Sequence, residues 1–416
     1  MTSLKPWVLS AALLAPMIGS AGCEPLDSND TNVTEGAITG TSTRPLLTST
    51  EAAGFTVLKY LSQAGSVTSP TVDNWNPTAG LGTVTSWTAK YTVAASGGTH
   101  TTVQAAINAA TGSSRVYIKV MPGTYREVVC VPSTAPPITL YSTNSDASQT
   151  VIVYNNYAGK TKAETAPANP CEPNINPNPS VSNSSYQTYG TRGSATFAAY
   201  AKGFQAKNIT FSNDVDESTL GSAAAQAVAL ITRGDQLVFE NVRMLGNQDT
   251  LLAASLDVST IARAYFKSSY ITGDVDFICG RATMVFDGGT IAFANNRRST
   301  GNILAASTDS RNPFGILISA VTFTAPTAVA ANAVTLGRAW DESQVNLATY
   351  AANIKTGIYP NGQSLIRDST LGKFINSTSP WAAAATTSRK FSSTSWSDSN
   401  GTYPANKEFE YNNTTK

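Results

Sequence analysis

The sequence predicts an all-β chain folded as a single right-handed parallel β-helix with short capping helices. Three observations point there. First, an apolar residue, a second five positions on and Gly or Phe seven positions on recur at Phe204/Ile209/Phe211, Phe239/Met244/Gly246, Phe266/Ile271/Gly273, Phe286/Ile291/Phe293 and Ile316/Val321/Phe323. Second, the starting residues of these units are separated by 35, 27, 20 and 30 positions, a spacing that suits solenoid coils with loops inserted between strands. Third, Val, Ile, Phe and Thr alternate at period two, as in Val116-Tyr117-Ile118-Lys119-Val120, while helical periodicity is scarce. Length alone would suggest about two or three domains for 416 residues. The repeat nevertheless crosses the centre of the chain without a linker, which favours one elongated domain.

At the N-terminus, Lys5 precedes an apolar stretch from Trp7 to Ile18 and then Gly19-Ser20-Ala21-Gly22-Cys23. This stretch is too short for a stable membrane span, so residues 1–22 are expected to be an export signal peptide. The small residues before Cys23 resemble a bacterial lipobox, with Ser20 where Leu is usual. Acylation of Cys23 would anchor the chain to a membrane, whereas ordinary cleavage near Ala21 would leave a spare thiol. Residues 23–50 are rich in Asp, Ser, Thr, Asn and Gly and are expected to form a disordered tether. The β-helix is then expected over 51–416. Its first end should be covered by a helix over Thr101–Ala110, where Val103, Ala106, Ile107 and Ala110 form an apolar stripe behind Thr. Trp381–Ala385 is a weaker candidate for covering the other end.

Charged residues make up 13% of the chain and the formal net charge is +1, so no basic field suggests nucleic acid as a partner. Of the four cysteines, Cys171 lies in a Pro/Asn-rich loop, Ala166–Ser185, that cannot build its own core. Bonding it to Cys130 would close a 41-residue separation, worth about 4 kcal/mol in the chain-entropy model. Cys279 is expected as a small buried side chain. With a single histidine, His100, there is no Cys/His cluster for a metal. His100 also lies far in sequence from the acidic motifs below, so a Ser-His-Asp or Cys-His mechanism is not expected and hydrolysis would have to run on carboxylates.

Those motifs are Gly246-Asn247-Gln248-Asp249-Thr250 and Gly273-Asp274-Val275-Asp276-Phe277. Asp249 follows Phe239 by ten residues and Asp276 follows Phe266 by ten, so stacked coils would set the two carboxylates side by side, about 4.8 Å apart by strand. The plainer reading is that each Asp merely closes a turn.

The residues match a known family. Gly123-Thr124-Tyr125-Arg126-Glu127 resembles the G-x-Y-x-E motif of pectin methylesterases, Gln226 to Leu230 their Q-A-V-A-L, and Gln248 to Leu251 their Q-D-T-L. Gly273 to Gly280 resembles G-x-V-D-F-I-F-G, and Leu336-Gly337-Arg338-Ala339-Trp340 resembles L-G-R-P-W. The lipobox, the Gly-Asp-Val-Asp variant and Phe409 to Asn413 are similar to the bacterial outer-membrane pectinesterase B lipoproteins and to a related group of acyl-CoA thioesterases.

The resemblance implies hydrolysis of methyl esters in polygalacturonate without a cofactor. It implies Asp276 as nucleophile and Asp249 as acid and then base. Arg338 would keep Asp276 ionised, Gln226 and Gln248 would donate to the oxyanion, and Trp340 would stack on a sugar ring. The plainer alternatives are a surface salt bridge for Arg338 and a core aromatic for Trp340. Leu252, Cys279 and Ala339 depart from the family pattern, and the first two should thin the aromatic surface near the groove, favouring short oligomers. Asp274 is an added acid that could raise the nucleophile's pKa, repel free galacturonate, or sit at a solvated edge. A glycosidase with paired acids, an acyl-CoA thioesterase and a non-catalytic carbohydrate-binding surface lipoprotein are the competing functions. A monomer is expected.

Overall fold

The computed structural model describes residues 40–161, 169–172, 188–220 and 225–416. The expected signal peptide, Cys23 and most of the expected tether therefore lie outside the described residues, as does most of the Ala166–Ser185 loop.

Two parallel sheets carry the fold. Among the described residues the larger has 17 strands and the smaller eight, and every strand pair within them is parallel. A coil contributes one strand to the smaller sheet and two to the larger, as with Leu237–Glu240, Arg243–Leu245 and Leu251–Ala253. This is the right-handed parallel β-helix that the spacing predicts.

The alternation that marks the strands in the sequence sends one set of side chains into a continuous core. Phe239, Phe266 and Phe286 stack there at 4.8 and 4.6 Å between ring centroids, with interplanar angles of 9° and 11°. Those rings are in register on successive coils, as the repeat requires. The first and last repeats depart from the expected phase. Phe239 pairs with Ala206 and not Phe204, and Phe286 pairs with Ile318 and not Ile316. A slip of two keeps every side chain on its face, so the hydrophobic pattern is blind to it.

Within the larger sheet the chain turns a corner in each of seven coils. One residue takes the left-handed conformation there, at Asn208, Asn241, Ser268, Gly288, Ala320, Asp368 and Asn412, with φ between 48° and 70°. Asn, Asp and Gly tolerate this geometry best. Asn241 also donates to Asn208 at 2.8 Å and Asn412 to Asp368 at 2.8 Å, tying neighbouring corners together.

The first end is covered by the helix Val103–Asn108, capped by Thr102, with Val103, Ala106, Ile107 and Ala110 buried against the first coil. Glu127 accepts the N–H groups of Val103 and Gln104 at 2.8 and 3.0 Å, so its carboxylate satisfies orphan donors at that helix start. At the other end the expectation is corrected. Trp381–Ala385 is a strand, the last of the smaller sheet, paired with Val334–Trp340.

The cover over the last coil comes instead from the chain's own beginning. Leu46 bridges to Glu410, and buried Arg44 grips the Glu410 carboxylate at 2.7 and 3.0 Å. The expected tether over 23–50 is thus ordered from at least Thr41, because polar composition is offset by a long-range ion pair. The helix Val57–Ser62 lies on the outside of the larger sheet, with Tyr60 and Leu61 against Val238, Tyr265, Val285, Leu317 and Leu365. Cys130 and Cys171 are bonded, with Cα atoms 5.4 Å apart, and Cys279 is free and buried.

Candidate active site

The outward face of the smaller sheet forms the floor of the site. Ala198, Ile231, Leu252, Cys279, Ala305 and Arg338 occupy one position on six successive strands. Trp340 lies two residues beyond Arg338 on the same face and packs, half-buried, against this apolar stripe. It is therefore neither a core aromatic nor a free-standing ring.

At the N-terminal edge of this sheet the coils turn again, and here the two acids lie. Asp249 donates its N–H to the carbonyl of Val275 at 3.1 Å, and Gln248 bridges to Val275, which puts Asp249 over Asp276 on neighbouring coils. One coil earlier, Ala227 donates to the carbonyl of Gln248 at 3.1 Å, which aligns Gln226 with Gln248. Asp249 has φ 61° and Asp276 φ 50°. Asp249 sits in a turn, as the plainer reading holds, whereas Asp276 lies within the strand Val275–Gly280 at a register shift, and the left-handed backbone at both turns their carboxyls together at the edge of the floor. Non-glycine residues in this region carry strain of order 1–3 kcal/mol, and such positions concentrate at functional sites.

Arg338 reaches across Ala305 to Asp276. Its Nε donates to Oδ1 at 2.9 Å and its Nη2 to Oδ2 at 2.7 Å, a two-pronged bond with only a quarter of the arginine side chain exposed. This is no surface salt bridge. Burial raises the Asp276 carboxyl above its usual range, while the guanidinium bonds and charge pull it back and the nearby Asp274 charge adds to the rise. Asp249 lacks a fork of its own. Burial, then the negative charges of Asp276 and Glu217, push it well above the ordinary carboxylate value, with Arg338 acting more weakly in the other direction. The pair is asymmetric in consequence: Asp249 is pushed further toward its protonated form than Asp276, which the guanidinium holds.

Cys279, part of the floor, donates weakly to the Leu251 carbonyl at 3.4 Å and has its thiol pushed well up by burial. That suits a packed side chain and not a nucleophile. Leu252 and Cys279 are 3% and 2% exposed. Both pack within the cluster that includes Tyr200 and Trp340.

Asp274 is also relocated. It is fully buried and held by Arg297 through two 2.7 Å bonds, so it is neither a solvated edge residue nor a groove-facing repeller. Arg297 and the buried Glu217 are contributions that sequence reasoning missed. For Arg297 the only signal was Asp274 itself, a charge between two strands that required a partner. His100 lies beside Thr99 and Tyr91 in the first coil, away from the acids.

Around the floor, Glu172 of the disulfide-bonded segment pairs with Arg233 at 2.5 Å and with the Tyr200 hydroxyl. Further along, Glu342 draws in both Arg281 and Arg192. Among the described residues no group of three or more His, Cys, Asp or Glu is arranged to hold a metal ion.

The pectinesterase family model matches residues 177–371. A pectinesterase of Ralstonia solanacearum is 44% identical over 385 residues, covering 91% of this chain and 92% of that protein. The structure of rice weevil pectin methyl esterase superposes with a TM-score of 0.74 at 32% identity, covering 92% of this chain and all of the other. That of Escherichia coli YbhC, whose sequence is described as a putative acyl-CoA thioester hydrolase, gives a TM-score of 0.75 at 29% identity over 92% of this chain and 97% of its own.

Proposed function

The chain belongs to the pectinesterase family, and on that basis we propose that it removes methyl esters from pectin or methylated oligogalacturonides, giving methanol and free galacturonate. The observation that carries this reading is the asymmetry of the acid pair: Asp276 gripped by Arg338 at 2.9 and 2.7 Å, with the neighbouring Asp249 pushed toward its protonated form.

In the reading proposed, an ionised Asp276 oxygen attacks the ester carbonyl carbon. Charge builds on the carbonyl oxygen, where the amide groups of Gln226 and Gln248 donate; one such donor is typically worth about 3 kcal/mol. The bond from the acyl carbon to the methoxy oxygen breaks as Asp249 gives its proton to that oxygen, and methanol leaves an acyl-aspartate anhydride. Asp249, now a carboxylate, takes a proton from water as the water oxygen attacks the same acyl carbon. Asp276 departs as a carboxylate, held by Arg338, and Asp249 is again protonated. Trp340 supplies the face on which a sugar ring stacks.

Thioester hydrolysis is the second reading, favoured by the name of the E. coli relative. The same acids could serve it, but no phosphate-cradling glycine loop accompanies them. Methanol release from methylated oligogalacturonides of graded length, run beside release of free CoA from acyl-CoA, separates the two. Methanol without CoA is expected, and CoA without methanol would overturn the proposal. We further propose that the protein is exported as a monomer and, through acylated Cys23, held at the outer membrane; the motif around Cys23 supports this.

A further inference from the structure

Beneath the acid pair lies a second set of charged residues that the reaction does not use directly. Glu217, in the short turn Glu217–Thr219, is 2% exposed and accepts the backbone N–H of Gln248 at 3.3 and 3.2 Å through its two oxygens. Arg297, from the segment between the strands ending at Phe293 and starting at Gly301, holds Asp274 in a two-pronged bond at 2.7 and 2.7 Å. Its remaining nitrogen reaches Glu217 at 3.3 Å. Asp274 in turn donates its N–H to the carbonyl of Asn247 at 3.1 Å. Three distant parts of the chain thus converge on the four-residue turn that presents Gln248 and Asp249.

Stability alone does not account for this arrangement. Burying two carboxyls and a guanidinium is a poor way to gain stability, since well-packed apolar residues of the same volume do as well or better. The neighbouring backbone donors are satisfied by the main chain: Ala227 by Gln248 and Asp249 by Val275. Gln248, which directly precedes Asp249, is instead held by a side-chain carboxyl. It is also the residue whose amide is proposed to meet the oxyanion, and its neighbour is the proposed acid.

We propose that Glu217, tied through Arg297 to Asp274, is a positioning residue that holds the Gln248–Asp249 turn in its left-handed form and so aims both side chains at the reacting ester. This rests on the reading of the acid pair given above. It acts through geometry at one backbone N–H, so an uncharged acceptor of the same shape should serve almost as well.

The test uses the full-length enzyme on a methylated oligogalacturonide, with kcat and KM measured separately and the fold checked by near-UV circular dichroism. Glu217→Ala should lower kcat about a hundredfold, the loss that follows a misplacement of about 1 Å, with KM changed less than about threefold. Glu217→Gln, which keeps an oxygen facing Gln248, should stay within about fivefold of wild type. In an Asp249→Asn background, Glu217→Ala should cost less than it does in the wild type, because one of the two groups it aims is already disabled. Should Glu217→Ala not fold, Glu217→Asp, which withdraws the carboxyl by one methylene, takes its place with the same expected loss. Wild-type kcat in the Ala or Asp variant, an equal loss in the Gln variant, or a full multiplicative loss on top of Asp249→Asn would each overturn the proposal. Methanol release that survives unchanged in Asp249→Asn alone would instead overturn the reading of the acid pair.

Discussion

Replacing Arg338 by Lys separates two jobs for the guanidinium. The fork makes two bonds to Asp276, at 2.9 and 2.7 Å; lysine keeps the charge but, as a point donor, keeps only one of them. A hydrogen bond to a charged group is worth about 2 kcal/mol net, so losing one and the carboxylate's fixed direction should lower kcat roughly thirtyfold. A second effect follows from the same contact. Burial raises the Asp276 carboxyl and the Arg338 bonds are the main force opposing it, so weakening them should raise it further. Because the reaction needs Asp276 ionised, the acidic limb of the kcat profile should move to higher pH. KM on fully methylated oligomers should change little, since the contact is internal to the enzyme. The assay is initial-rate methanol release from fully and partly methylated oligogalacturonides across pH. A KM increase confined to the partly methylated substrate, with kcat and its acidic limb unmoved, would show that Arg338 binds a galacturonate carboxylate and would refute the reasoning.

Two further outcomes follow from residues away from the acids. Glu408 is fully buried, with one oxygen lacking a partner, and burial pushes its carboxyl from 4.5 to about 7 against the opposing charge of Arg389. The folded state therefore holds a proton the unfolded chain releases, and the stability linked to it is full below about pH 4.5 and lost as pH rises through about 7, a loss of about 3 kcal/mol. Glu408→Gln should raise Tm at pH 8 and converge with wild type near pH 4.5, whereas parallel Tm curves would refute the assignment. Cys23→Ser should move the protein from the membrane fraction to the soluble one with activity unchanged, because one or two acyl chains supply the attachment; an unchanged distribution would remove the lipoprotein proposal.

The central coils and the acid pair were legible in the sequence for one reason. Between Phe239 and Asp249, and between Phe266 and Asp276, no loop is inserted, so equal spacing in sequence became equal position in space. Where insertions fall inside a repeat, spacing lost its meaning, and the phase of the first and last repeats slipped by two without disturbing the apolar pattern. The Arg338 fork was legible only through its motif, since 62 positions separate it from Asp276. The strand-like closure of the far end by Arg44 and Leu46 left no local trace, because its partner Glu410 is 366 residues away. Asp274 showed a similar limit. Strand alternation would place it on one face with Asp276, but the left-handed backbone at Asp276 breaks the alternation, and Asp274 is buried against Arg297. Glu217 gave no signal at all, since a carboxyl that binds a backbone N–H needs no motif.

The most direct test of the account is turnover by Asp276→Asn, which preserves shape and hydrogen-bonding capacity at the Arg338 fork while removing the attacking carboxylate. Methanol release from a methylated oligogalacturonide should fall by several orders of magnitude, roughly 10³-fold or more, with near-UV circular dichroism unchanged. A variant that folds as wild type and still turns over within about tenfold of it would contradict the assignment of Asp276 as the nucleophile.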